Sequence, residues 1–276
     1  MLRIAAIEFL NAAPLMWGLE RDARFSLEHT LPSVCADRLR DGSADLGVIP
    51  VIELARIPAL TGLDGIGVAS CDGEGEAAEV RSILLISRCL LPQVQTLALD
   101  RASRTSAALA QILLRQRFGA SFSVDAGDAN WQSALQRADA VLLIGDPALR
   151  LRISGGAAEY EVHDLACLWR EWTGLPFVFA LWGMRAGVYA ANRSWLEPRL
   201  RQALSEALGE RQTLIADWSQ RLHLPAAEVA AYLEHNVAHT LTPRHHEGMR
   251  RFFQLAAEAG LIAGPELPQL AGAAAL

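Results

Sequence analysis

The sequence predicts an α/β protein of two lobes with a ligand cleft between them. Three observations carry that reading. Short apolar runs of strand length alternate with helical periodicity as far as Met184. From Trp195 onward the pattern is helical, broken near Leu224-Pro225 and Thr242-Pro243. Pro92 and the Gly174-Leu175-Pro176 turn interrupt the alternation where the chain can pass between lobes. The expected division is a discontinuous first lobe of residues 1–86 and 181–276, with a second lobe of residues 87–180 inserted into it. A chain of 276 residues is long enough to build two cores.

Arg3–Glu8 reads as the first strand, because its apolar run stops at the Asn11-Ala-Ala-Pro14 break. A helix begins at Leu15–Leu19, Phe25–His29 is a second strand, and Pro32–Asp41 is a helix opening at Ser33. Leu46–Ile49 is a buried strand stopped by Pro50. Ile66–Cys71 and Ser82–Ser87 are strands on either side of the glycine- and acid-rich loop Asp72–Glu79. After the strand Thr96–Leu99, Ser103 caps a helix to Phe118 with Leu109, Ile112 and Leu113 on one face. Ala138–Ile144 is the clearest buried strand and ends in Gly145-Asp146-Pro147, and Phe177–Met184 is the last strand. Alternation of this kind argues for largely parallel sheets. Between Asp164 and Trp182 the chain crowds three tryptophans, a Thr-Gly-Leu-Pro turn and a Phe-Val-Phe run. That stretch reads either as aromatic walls for a flat apolar ligand or as a Trp-rich core segment.

Composition removes several kinds of chemistry. The net charge of −6 and the lack of any basic run leave no footprint for nucleic acid. All 25 basic side chains are arginine, so Schiff-base lysines, a pyridoxal anchor and a lysine-bearing P-loop are excluded. Neither Gly-x-Gly-x-x-Gly nor Gly-x-Ser-x-Gly occurs. The four cysteines have no Cys-x-x-Cys spacing and read as buried thiols. Glu8 and Asn11 cut the N-terminal apolar run short, and no run approaches membrane-spanning length. The expectation is a cytoplasmic monomer or homodimer without membrane or nucleic-acid partners.

Parallel strands bind ligands at their carboxyl ends, and the residues just past the predicted strands are Asn11, Pro50, Ser103 to Ser106 and Gly145-Asp146. Amides, hydroxyls and free helix-start N–H groups of this kind suit a carboxylate. Ser103, Thr105 and Ser106 read equally as an ordinary helix cap, and Asp146-Pro147 as a cap followed by proline at the first helical position. Asp45 reads as ordering a turn. His235 and His239 have the spacing of a metal pair on a helix. Asn236 stands where a zinc peptidase needs glutamate, and no third ligand stands out, so no metal is expected. His245-His246 reads as a solvated helix start.

Six segments in order resemble the menaquinone-biosynthesis family of the futalosine route, in particular its chorismate dehydratases. They are Glu8-Phe-Leu-Asn-Ala-Ala-Pro14, Leu39-Arg-Asp-Gly-Ser-Ala-Asp-Leu-Gly-Val-Ile-Pro50, Val80-Arg-Ser-Ile-Leu-Leu85, Ser103-Arg-Thr-Ser106, Leu143-Ile-Gly-Asp146 and Trp172-Thr-Gly-Leu-Pro-Phe-Val-Phe-Ala180. Phe9 stands where the family has tyrosine, so a hydroxyl there is not essential in this chain. The resemblance implies a type II periplasmic-binding-protein fold and a cofactor-free lyase that converts chorismate to 3-[(1-carboxyvinyl)oxy]benzoate. It implies Asn11 and Ser82 at the reacting ring, and Ser103, Thr105 and Ser106 on a substrate carboxylate. Pro50, Arg104, Gly145, Trp172 and Phe177 complete the implied substrate contacts. Two bases stay open: Asp146, and the substrate's own enolpyruvyl carboxylate, which the neutral character of the candidate groups favours. The rival readings are a non-catalytic binding protein or sensor for a small aromatic carboxylate, and the sister enzyme forming 1,4-dihydroxy-6-naphthoate. The latter's Ser-Pro-Cys-Pro-Asn-Asp-Thr opening is missing here. Fold alone separates none of these.

Overall fold

The computed structural model describes residues 1–73, 78–100, 102–126 and 130–272. The middle of the expected Asp72–Glu79 loop lies outside the described residues, as does Arg101 beside the Ser103 cap.

Strand β1 (Leu2–Ile7) leads through a 3-10 turn (Leu10–Ala12) into α1 (Ala13–Met16), then come β2 (Phe25–Thr30), α2 (Pro32–Asp41), β3 (Leu46–Pro50), α3 (Val51–Arg56) and β4 (Leu60–Ser70). The middle of the chain forms β5 (Ile83–Ser87), β6 (Thr96–Leu99), α4 (Arg104–Ile112), β7 (Ser123–Ala126), α5 (Trp131–Leu135), β8 (Ala140–Ile144), α6 (Gly145–Ser154), β9 (Glu161–Asp164) and α7 (Leu165–Thr173). The last part is β10 (Val178–Arg185), α8 (Ala186–Gly209), α9 (Arg211–Leu222), α10 (Ala226–Ala231), β11 (Val237–Thr240), α11 (Pro243–Glu258) and the short β12 (Leu270–Ala271).

These strands make two sheets, one for each lobe. The first has the order β11-β4-β10-β3-β1-β2 with β12 beside β4, and the second β7-β6-β8-β5-β9. Both sheets are mixed, where the sequence pattern predicts largely parallel ones. β5 and β10 are each antiparallel to both of their neighbours. They are the strands by which the chain enters the second sheet and returns to the first. A chain leaving β4 at its carboxyl end meets the second sheet on the cleft side, so the next strand must start there and run away from the cleft. The same constraint reverses β10 after β9.

The strand expected at Ser82–Ser87 at the end of the first lobe's opening segment is therefore β5, inside the second sheet, and β10 lies in the first sheet from Val178 on. The chain leaves the first sheet after Ser70 and enters the second at Ile83, ahead of Pro92, which sits in a 3-10 turn between β5 and β6; the return between Asp164 and Val178 contains the expected Gly174-Leu175-Pro176 turn. The Trp-rich stretch proves to be core. Its first half is the amphipathic helix α7, whose fully buried Trp169 meets Phe177 edge-on at 5.2 Å and Trp172 at 6.3 Å. Phe177 in turn packs on Phe179 at 4.7 Å and on Phe252 of α11 at 5.0 Å.

One carboxylate ties the two crossings together. Asp164, at the end of β9, caps α7 by accepting the N–H groups of Ala166 (2.9 Å) and Cys167 (3.3 Å). It also accepts the Arg81 N–H at 2.7 Å, from the other crossing. Burial pushes its carboxyl up to about 6 against the pull of these donors. Arg81 adopts a left-handed conformation (φ 57°) that only a firmly held non-glycine residue keeps. The helical tail reinforces the first crossing: Asn236 donates to the Glu79 carbonyl at 3.0 Å, and Glu228 pairs with Arg81 at 3.0 Å. Replacing Asp164 with Ala leaves three backbone donors without their acceptor. The variant is expected to lose about 2–4 kcal/mol of stability in denaturant unfolding, and a loss below about 0.5 kcal/mol would show that the tie is dispensable.

Candidate active site

The carboxyl ends of β1, β3, β6 and β8 and the starting ends of β5 and β10 converge on one cavity between the lobes. From the first lobe it is lined by Ile7, Phe9 and Asn11 at the end of β1, Pro32 after β2, Pro50 ending β3, Val68 of β4, and Phe179 and Ala180 of β10. The second lobe supplies Ile83 opening β5, Ser103 and Ser106 at the start of α4, and Ile144 and Gly145 closing β8. No lining side chain carries a charge. The free space inside is about 30 Å³, room for a water or two. A larger depression of about 330 Å³ lies beside β1, but Glu8, Glu20, Glu210 and Asp217 line it against Arg21, Arg221 and His29. That acidic balance opposes an anionic ligand.

Asn11 sits in the 3-10 turn after β1, and side chains from distant parts of the chain grip this turn. Asp146 accepts the Leu10 N–H at 3.0 Å, while His239 Nε2 lies 2.7 Å from the Asn11 carbonyl. Burial lowers the His239 pKa to about 4, so the ring is neutral near pH 7 and donates its Nε2–H to that carbonyl. Burial raises Asp146 to about 6, opposed by the Leu10 hydrogen bond and the nearby Arg150 and Arg221. The carboxylate of Asp146 neither caps its own helix nor lines the cavity; it bridges the lobes.

The first turn of α4 presents two faces, because residues three apart share a side of a helix and adjacent ones do not. Ser103 and Ser106 face the cavity with their hydroxyls 2.9 Å apart, and Ser103 caps the helix through the Ser106 N–H. Arg104 and Thr105 turn to the first lobe. The Arg104 guanidinium meets Asp37 at 2.7 Å and Glu53 at 3.0 Å, and the Thr105 hydroxyl accepts the Ile52 N–H at 3.3 Å. Glu53 is fully buried and also pairs with Arg40 and Arg56. The Ser33 N–H to Ala102 carbonyl bond (2.9 Å) joins the lobes beside them.

Ser82 immediately precedes β5 and is 1 % exposed. Its hydroxyl accepts a hydrogen bond from Tyr232 at 2.8 Å, and its carbonyl accepts the Gly145 N–H at 2.8 Å. Gly145 is irreplaceable on two counts. Its φ is +70°, and a Cβ there would stand 2.8 Å from three carbons of the Phe9 ring.

The structure thus brings Asn11, Pro50, Ser103, Ser106 and Gly145 to the cavity, with Ser82 directly beside Ile83. Arg104, Thr105 and Asp146 join the lobes, and Trp172 and Phe177 belong to the aromatic core. Nothing in the sequence points to Tyr232, while His239 is offered there only as half of a metal pair and Phe179 only as part of an aromatic run. Asp45, expected to order a turn, instead grips the backbone and guanidinium of Arg3. His239 lies on β11 and not on a helix with His235, and the expected solvated His245 is buried, capping α11 through Thr242. Among the described residues, no three His, Cys, Asp or Glu side chains cluster as a metal site, and no helix is long and apolar enough to cross a membrane.

Two outcomes follow from this geometry. Gly145→Ala is expected to destabilise the protein by about 2 kcal/mol or more. Part of that cost should vanish in a Phe9→Ala background, measured by denaturant unfolding of the four proteins. The Asp146 carboxyl binds its proton more tightly in the folded state than in the unfolded one. Its contribution is therefore fully present below about pH 4 and is lost as pH rises through about 6. The stability of the wild type relative to Asp146→Asn should fall by about 2–3 kcal/mol from pH 4 to pH 7; a flat difference would rule out the raised carboxyl.

Comparison with known proteins agrees with this architecture. The family described as menaquinone biosynthesis matches over residues 2–258. The chain is 28 % identical over 239 residues to a chorismate dehydratase of Thermus thermophilus, covering 82 % of this chain and 84 % of that protein. Among solved structures it is similar to a protein of Archaeoglobus fulgidus, with TM-score 0.74 and 14 % identity over 95 % of this chain and 98 % of that one. It is also similar to the periplasmic aliphatic sulphonate binding protein of Escherichia coli, with TM-score 0.65 and 17 % identity over 100 % and 95 % of the two chains. The structural likenesses establish the two-lobed periplasmic-binding-protein-like fold. The chain belongs to the menaquinone biosynthesis family.

Proposed function

We propose that this member of the menaquinone biosynthesis family removes water from chorismate to give 3-[(1-carboxyvinyl)oxy]benzoate. The observation that carries the reading is the cavity lining, a carboxamide and two serine hydroxyls set among apolar walls without an ionised side chain. The relationship to a protein named chorismate dehydratase supports it. Loss of the C3 proton and the C4 hydroxyl makes the ring aromatic, so the protein need only hold geometry and pass one proton. The ring carboxylate delocalises the charge that develops as the C3–H bond breaks, and neutral donors on it stabilise that charge.

In this reading Phe9, Ile83 and Phe179 enclose the ring, Asn11 and Ser82 face the reacting carbons, and Ser103 and Ser106 hold a carboxylate. Each member of a hydroxyl pair has one proton, so when one donates to the other a proton is left for the ligand. Arg104 and Thr105 act through closure. The enolpyruvyl carboxylate takes the C3 proton, the electron pair of the C3–H bond completes the aromatic ring as the C4–O bond breaks, and the resulting carboxylic acid returns that proton to the departing hydroxyl, which leaves as water. Ligand pockets begin at roughly 300 Å³, so the lobes part to admit the substrate and close again to exclude solvent.

The test is purified protein with chorismate, without metal or nucleotide, followed by chromatography with mass detection. A product lighter by one water, above the enzyme-free control, is expected. Saturable binding without turnover would favour a receptor, and neither would remove chorismate as the substrate. Asn11→Ala and Ser82→Ala should each lower kcat by about 100-fold or more. Asp146→Asn keeps an acceptor for Leu10 and should stay within about 10-fold of wild type; collapse of turnover with intact binding would make Asp146 the base.

A further inference from the structure

We propose that the C-terminal tail supplies two positioning residues, Tyr232 and His239, one for each of the groups assigned to the reacting ring; the proposal rests on the dehydratase reading.

Tyr232 follows α10 and is 1 % exposed. Its hydroxyl donates to Ser82 Oγ at 2.8 Å. Burial raises the phenol's pKa further above its ordinary value, so it stays protonated and remains a donor. A serine hydroxyl with an empty acceptor site can rotate among several partners. Here the incoming proton from Tyr232 fixes the oxygen's acceptor side, and the proton of Ser82 must point elsewhere. Among the described residues, Ser82 Oγ has no other hydrogen-bond partner. The Gly145 N–H holds the serine's carbonyl at the same time, so the residue is fixed at backbone and side chain together.

His239 on β11 acts on the other group. The 3-10 turn Leu10–Ala12 has no side-chain cap of its own. It is held instead by Asp146 at the Leu10 N–H and by His239 at the Asn11 carbonyl, partners 136 and 228 residues away in sequence. The direction of the Asn11 carboxamide follows from the orientation of that peptide. His239 is neutral near pH 7, so it meets a carbonyl through its Nε2–H without placing a charge beside the cleft.

Two buried polar groups that merely stabilised the fold would lower the amount of folded enzyme without any coupling to Asn11 or Ser82. The experiment measures kcat and KM for Tyr232→Phe, His239→Ala and His239→Gln, alone and in Ser82→Ala or Asn11→Ala backgrounds. Backbone hydrogen exchange over residues 8–16 is followed alongside. Tyr232→Phe and His239→Ala should each lower kcat roughly 5- to 30-fold, with KM within about 3-fold. His239→Gln should recover most of the loss, since its amide N–H reaches the same carbonyl. Tyr232→Phe should cost nothing further in Ser82→Ala, nor His239→Ala in Asn11→Ala. Losses that multiply in those backgrounds, or an unchanged kcat in the folded single variants, would overturn the proposal. Absence of chorismate turnover in the wild type would instead sink the dehydratase reading. Exchange then decides the clamp: faster exchange at 8–16 in His239→Ala, restored in His239→Gln, upholds it, and unchanged exchange overturns it.

Discussion

The cleft depends on the Asp164 carboxylate. Both strands that cross between the lobes must pass close together, and each brings backbone N–H groups that neither sheet can satisfy. A buried N–H without a partner costs about as much as a lost hydrogen bond. Asp164 supplies acceptors for both crossings, collecting Arg81 from one and Ala166 and Cys167 from the other. Ser82 is the next residue after Arg81, and β5 starts immediately beyond. The position of the second sheet relative to the first is thus fixed at the residues that open onto the cavity.

Closure of the lobes is a separate task, carried by the far side of the cleft. There Arg104 reaches from α4 into a pair of first-lobe carboxylates, Asp37 and Glu53. Glu53 is fully buried, a position that a carboxylate holds only when paired. Its other two arginine partners come from the first lobe, so the site is satisfied in part even when Arg104 withdraws. That arrangement suits a contact made and broken with each opening. Thr105 and Ala102 add backbone bonds beside it. One helical turn therefore both seals the cleft through Arg104 and Thr105 and lines it through Ser103 and Ser106.

Much of this was legible in the sequence. Buried runs such as Leu46–Ile49 and Ala138–Ile144 are apolar on both faces, which only a covered strand tolerates, and both lie where expected. The short strands β7, β9, β11 and β12 were not legible, since unlike the apolar Leu-Ala-Leu of the equally short β6 they carry mixed polar residues or only two positions. The direction of β5 was hidden for a different reason. A run of Ile-Leu-Leu-Ile reads the same whichever way it points, and only the path of the chain reverses it. At the site, Asn11, Ser103 and Ser106 could be found because loops after strands are where ligands bind. Arg104 and Thr105 share that motif, yet local spacing does not say which face of α4 meets the other lobe. Tyr232 and His239 lie 150 and 228 residues from their partners. A tyrosine in a polar helix end and a histidine between alanine and threonine carry no local mark of such a role.

The composition of the chain and the chemistry of the cleft meet in one constraint. A substrate carboxylate that is to take a proton must remain basic. Pairing it with a guanidinium or ammonium would lower its pKa and weaken it as a base. Such a pairing would also stabilise substrate and transition state alike, which does nothing for the chemical step. The cleft avoids this with hydroxyls and a carboxamide, donors that orient a carboxylate at little cost to its basicity. The chain has 25 arginines and no lysine, so a cation could easily have stood there. Arg104 is in the very turn that lines the cavity, but its charge is spent on Asp37 and Glu53. His239 obeys the same rule from the protein side, since burial keeps its ring neutral near pH 7. A cleft cleared of charge in this way suits a reaction in which the substrate moves its own proton and the protein holds it still.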